Sequence, residues 1–156
     1  MTSLALVRRT PRTVEVGVPM SLDVFQDYLD RLDQDFEIDE ENDAVDIISE
    51  TKGGAEYAVT LIAGRRAYSL FVSPLVTPAK GCDQAKLFQR LLELTDELQY
   101  IKLSLDSDGD VKIAAEGFSR LDAFGQFRRR LEALQAAIEA HGVEVAELAQ
   151  GELFGG

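Results

Sequence analysis

The chain has 156 residues, 28 acids against 16 lysines and arginines, a formal net charge of −12 and 46% hydrophobic residues. That length suits one domain and is enough for a core that needs no metal or disulfide support. A single histidine, His141, and a single cysteine, Cys82, exclude an internal disulfide and leave few catalytic or metal-binding designs open.

Residues 1–18 mix Thr, Arg, Val, Pro and Gly without a sustained period, and Arg8, Arg9 and Arg12 make them locally basic. They are expected to form a flexible basic arm. Leu4-Ala5-Leu6-Val7 is too short for the apolar part of a secretion signal, and its arginines follow it instead of preceding it. No apolar run approaches the ~20 residues of a membrane span, so the expectation is a cytoplasmic chain with no membrane contact.

Ser21 is placed to cap a first helix, with Asp23 in the opening turn, where the helix dipole favours negative charge. Leu22, Phe25, Tyr28 or Leu29, and Leu32 recur at helical spacing and leave Asp23, Asp27 and Asp30 outward. Residues 21–50 carry twelve acids and one base, Arg31, so almost the whole charge imbalance sits there. Such a field repels phosphate backbones and favours basic partners or plain solubility.

Phe36 and Ile38 begin an extended segment, Glu41-Asn42-Asp43 reads as a turn, and Val45 and Ile47 alternate with Asp46 beyond it. After Gly53-Gly54, Tyr57, Val59 and Leu61 alternate with Glu56, Ala58 and Thr60. Gly64-Arg65-Arg66 then turns the chain into a strand carrying Tyr68, Leu70 and Val72. Pro74, Pro78 and Gly81 are expected to end the pairing. The loops are too short for parallel crossovers, so this is an antiparallel meander.

Asp83 caps a second helix that runs to about Gln99. Its Leu87, Phe88, Leu91, Leu92, Leu94 and Leu98 span roughly 160° of arc, more than the ~100° stripe of a helix packed on one surface. Ile101, Leu103 and Leu105 alternate as a strand. Asp108-Gly109 is a hairpin turn, and Val111, Ile113 and Ala115 return. Phe124, Phe127, Leu131, Leu134 and Ile138 share one face of a last helix over about 121–140, with Gly142 as its expected C-cap. Residues 143–156 read as a C-terminal tail with a short helix and a frayed end. The organisation expected is therefore arm 1–18, one α+β domain over 19–142, and tail 143–156. Its antiparallel sheet has five strands, or six if Phe36–Asp39 pairs separately.

Each chemical motif has a plainer reading that prevails. Asp106-Ser107-Asp108-Gly109-Asp110 begins like an EF-hand loop, but Val111 and Gly117 stand where glycine and a bidentate glutamate are required, so a hairpin turn is expected. The carboxylates of residues 35–46 lie along an extended segment and set up no closed oxygen cage. His141 reads as a residue at a helix C-terminus and Cys82 as a thiol at a helix start, too far apart in sequence to imply a catalytic pair. Arg128-Arg129-Arg130 steps by 100° per residue and makes no phosphate-binding stripe. No nucleotide, hydrolase or metalloprotease motif occurs. No catalytic residue, cofactor or metal is expected.

The order helix, three-strand meander, helix, hairpin, helix resembles the YbjN-like family, whose fold is similar to that of the type III secretion chaperones. The resemblance covers about residues 20–142. It is carried by the Tyr57–Val72 hairpin and by Asp83–Gln99 followed by the Ile101–Ala115 hairpin. It implies a small α+β protein, commonly a homodimer, without enzymatic activity. Secretion chaperones present apolar surface to an extended client segment, and YbjN-like proteins are regarded as regulators. No motif carries individual binding residues across.

The function expected is thus a non-enzymatic protein-binding module, chaperone-like or an adaptor or regulator acting on a partner protein. The alternative is an accessory factor in nucleic-acid metabolism, recruited through a protein partner or the basic N-terminal arm. Direct nucleic-acid contact is not expected. The surplus apolar width of the second helix points to a homodimer whose interface uses Leu87, Phe88, Leu91 and Leu92.

Overall fold

The structure, a computed structural model, describes residues 22–119 and 121–155. Its elements are α1 (Leu22–Arg31), β1 (Phe36–Asp39), β2 (Ala44–Glu50), β3 (Glu56–Ala63), β4 (Ala67–Val76), α2 (Gln84–Glu97), β5 (Ile101–Leu105), β6 (Val111–Phe118) and α3 (Phe124–Ala149). A 3₁₀ turn follows at Leu153–Gly155. This is the expected α-βββ-α-ββ-α order, with Phe36–Asp39 pairing as a strand of its own. The arm 1–18 and the Ser21 cap lie outside the described residues.

All pairings are antiparallel, and the six strands lie in the order β1-β2-β3-β4-β6-β5. The period of two puts one side chain of each adjacent pair on a common face. Val45 and Ile47, Tyr57, Val59 and Leu61, Tyr68, Leu70 and Val72, Val111 and Ile113, and Ile101 and Leu103 join a single core. That core also takes Phe25 and Leu29 of α1, Leu87, Leu91 and Leu94 of α2, and Phe127, Leu131, Leu134 and Ile138 of α3. Phe25 lies 5.0 Å from Tyr68 and 5.4 Å from Phe127 between ring centroids, which seats α1 between sheet and α3.

Three expectations are corrected. Strand β4 does not end at Pro74: its register shifts between Val72 and Val76, after which Val76 pairs with Val111. A shift of this kind tolerates a proline because the local ladder bond is already missing. Gly142 is not a C-cap. Val145, Ala146 and Ala149 continue the buried stripe, so α3 runs through Gly142 to Ala149 and ends at Gln150 in the left-handed region (φ 53°, ψ 38°). His141 accordingly lies within the helix, and its Nδ1 is 3.6 Å from Glu144 one turn on. The end of the chain packs instead of fraying: Phe154 stacks on Tyr57 with centroids 4.6 Å apart and planes 15° apart.

Candidate protein interface

Asp83 caps α2, its carboxylate accepting the Lys86 N–H at 3.2 Å. The helix then divides Leu87, Phe88, Leu91, Leu92 and Leu94 between two sides, while Leu98 follows it as the C-cap and packs against the core. Leu87, Leu91 and Leu94 are buried in the core, while Phe88 is 37% and Leu92 70% exposed. Of the four residues expected at an interface, Leu87 and Leu91 therefore turn inward, and Phe88 and Leu92 stand outside, one turn apart on the same strip. The other described elements leave that strip uncovered.

The neighbours of α2 explain why it ends up half-covered. Its Thr95 hydroxyl donates to Leu91 O at 2.9 Å and accepts the Leu103 N–H at 3.0 Å. Because β5 is an edge strand, this contact uses an amide that would otherwise be open to strand addition. On its other flank, Arg90 Nε donates to Glu144 of α3 at 2.7 Å. Arg90 and its hydrogen bond hold the Glu144 carboxyl below its ordinary value. The helix is thus fixed between β5 and α3, and nothing further among the described residues covers its outer strip.

The acidic stretch is divided in the same way. Glu37, Asp46 and Glu50 sit on β1 and β2, and Asp39 begins the turn, where Asn42 donates to its carboxylate from Nδ2 at 2.8 Å. That bond lowers the Asp39 pKa.

The residues with the most chemical potential have structural work. Asp106, Asp108 and Asp110 bring carboxylate oxygens within 4.8 Å of one another. Asp106, however, accepts the Asp108 and Asp110 N–H groups at 2.9 and 3.0 Å and the Ser73 hydroxyl at 2.8 Å, as a turn hub does. Cys82 is 8% exposed, in the core just before α2. Arg128 pairs with Glu132 and Arg130 with Asp122, so the basic triplet is dispersed as its spacing requires. No helix among the described residues is long and apolar enough to cross a membrane.

No protein-family model matches this sequence, and no curated protein matches it. Solved structures do match in fold. A chain of the heterodimeric ExoU–SpcU complex from the type III secretion system of Pseudomonas aeruginosa is similar at 17% identity and a TM-score of 0.54. The match covers 76% of this chain and 94% of that one. A chain of the HopA1–SchA chaperone–effector complex is similar at 18% identity and 0.51, over 75% and 88%. YbjN from E. coli is similar at 15% identity and 0.55, over 79% and 92%. The fold is that of the type III secretion chaperones and of YbjN.

Proposed function

We propose that this chain is a non-enzymatic, chaperone-like module that binds another protein and acts as a cytoplasmic homodimer. One observation carries the reading: a fold shared with chains solved in chaperone–effector complexes leaves Leu92 exposed and Phe88 partly exposed on an otherwise well-anchored helix. Adding a second copy across a two-fold axis beside α2 covers the same strip twice, the commonest oligomer geometry. Full burial of an exposed side chain of this kind is worth roughly 1.5–3 kcal/mol, so Leu92, 70% exposed, gains the larger share and Phe88, 37% exposed, the smaller. The acidic 21–50 stretch opposes a phosphate backbone and leaves the nucleic-acid alternative without support.

Light scattering tests the dimer. The wild-type chain is expected to run at twice its 17.2 kDa mass, and the variant Phe88→Asp/Leu92→Asp as a folded monomer with an unchanged circular dichroism spectrum. A wild-type chain that stays monomeric at high concentration rejects the dimer, and any turnover lost on changing Cys82 or His141 rejects the non-enzymatic reading.

A further inference from the structure

Strands β3 and β4 run together for only part of their length. β3 pairs with β4 over Thr60–Ala63, and from Glu56 to Val59 it pairs with β2 alone. Where the two strands part there is a slot of about 270 Å³. Just before β3 the Thr51 N–H donates to Ala55 O, so the odd residues of β3 are the ones that bond to β2. Alternation then turns the N–H and C=O groups of Glu56 and Ala58 into the slot, where no strand pairs them.

The slot has an apolar end and a polar mouth. Its inner end is made by Val72, Pro74 and Phe154, the last stacked on Tyr57. At the mouth stands the exposed Glu56, directly across from Glu50 of β2, and like charges placed opposite one another repel. The Ser73 and Thr60 hydroxyls also line the slot. Ser73 donates to Asp106 at 2.8 Å and Thr60 to Asp46 at 3.0 Å, so towards the slot both can only accept. No lysine, arginine or histidine is among the lining residues. The mouth is therefore a set of acceptors with no cation to satisfy it.

We propose that this slot binds a small primary alkylamine, its ammonium at the mouth among Glu56, Thr60, Ser73 and the open carbonyls, its stem against Val72, Pro74 and Phe154. An ammonium brings three donors and a positive charge to a site that presents acceptors and a carboxylate. A carboxylate ligand reaching the two open N–H groups would sit beside Glu56 and be repelled. A bare metal ion would gain nothing from the apolar end. The volume lies below the ~300–1,000 Å³ of drug-sized ligands, which limits the stem to a few carbons. The site shares no residue with the outer strip of α2 and goes beyond the protein-binding reading.

Titration of the full chain with n-butylamine at neutral pH, followed by amide NMR, tests it. Saturable shifts are expected at residues 56–60, 72, 73 and 154, with none from n-butanol. Affinity is expected to fall about twofold to fourfold for each methylene removed down to ethylamine. It should fall about fivefold or more in Glu56→Gln and be lost in Ala58→Leu, which fills the slot from an exposed strand position. Both variants are expected to keep the wild-type circular dichroism spectrum. Absence of saturable shifts overturns the proposal. Ammonium chloride binding as tightly, or shifts spread over the acids of 23–46, reduces the effect to counter-ions and overturns it. Equal binding of n-butanol overturns the charge assignment, and full affinity in Ala58→Leu overturns the slot. Calcium chloride reproducing the same shifts at lower concentration overturns the amine in favour of a metal.

Discussion

Gly117, one residue before the end of β6, is closely constrained by its surroundings. A Cβ there would collide with the Tyr68 ring and the Asp122 carboxylate, so the glycine makes room for a buried polar cluster in a sheet that is otherwise apolar on this side. Tyr68 donates to Asp122 Oδ2 at 2.8 Å, and Arg130 lies 3.2 Å from the same oxygen. Arg130 also donates to Glu116 O at 2.9 Å, which ties the start of α3 to the sheet. Burial and the Asp122 carboxylate push the Tyr68 phenol far above its ordinary pKa, so it stays a donor. Breaking a buried ion pair from one side leaves a charge uncompensated, which costs about 3–5 kcal/mol. Losing one hydrogen bond costs about 1–2 kcal/mol. Asp122→Ala is therefore expected to lower stability in urea unfolding by more than Tyr68→Phe, and Arg130→Met/Asp122→Leu by less than Asp122→Ala alone. None of this cluster was legible in the sequence, because Tyr68 and Asp122 are neighbours only after β4 pairs with β6.

At the scale of elements, legibility followed the length and purity of the apolar period. β3, β4 and the β5–β6 hairpin alternate cleanly over several residues, and α2 carries an unbroken leucine stripe, so type and order were readable from periodicity alone. Phe36–Asp39 offers only two apolar residues, too few to separate a strand from an extended loop. The end of α3 was misplaced because glycine after a helical run usually ends it. Here the missing Cβ admits Leu153, whose Cδ1 would lie 3.2 Å from it, and Val145, Ala146 and Ala149 carry the buried stripe on. The extra turns of α3 bring Glu144 to Arg90, and that contact has a pH signature. Glu144 is titrated below its ordinary value by the Arg90 hydrogen bond, the Arg90 charge and His141, in that order of strength. A lowered folded pKa means stability that is present above the unfolded value, about 4.3, and lost as pH falls through the folded one. Thermal melts of wild type and Glu144→Gln should differ in favour of wild type near neutral pH, and the gap should narrow as pH falls from about 4.3 through the lower folded value. With Glu144 partly exposed the difference is small and shrinks further in high salt. A gap of the same size at every acid pH would place the effect elsewhere.

The molecule as a whole sets an apolar strip on α2 against a large net negative charge, and ionic strength separates their effects. The outer strip of α2 is apolar, and each chain brings a net charge of −12 to any self-association. Long-range repulsion between two such chains is screened over roughly 10 Å at 0.1 M salt and about 3 Å at 1 M. Added salt removes repulsion and leaves hydrophobic burial intact, so the proposed dimer should tighten as salt rises. Sedimentation velocity over a salt series should give a dimer dissociation constant that falls as salt rises. A constant that rises instead would place the association on opposite charges and not on the outer strip of α2. The sequence held the ingredients of this contrast, the wide stripe of α2 and the acidic run of 21–50. What it withheld was their placement, because only the strand order β1-β2-β3-β4-β6-β5 sets the acids beside Ile48 and Ile62 on a face away from Phe88 and Leu92.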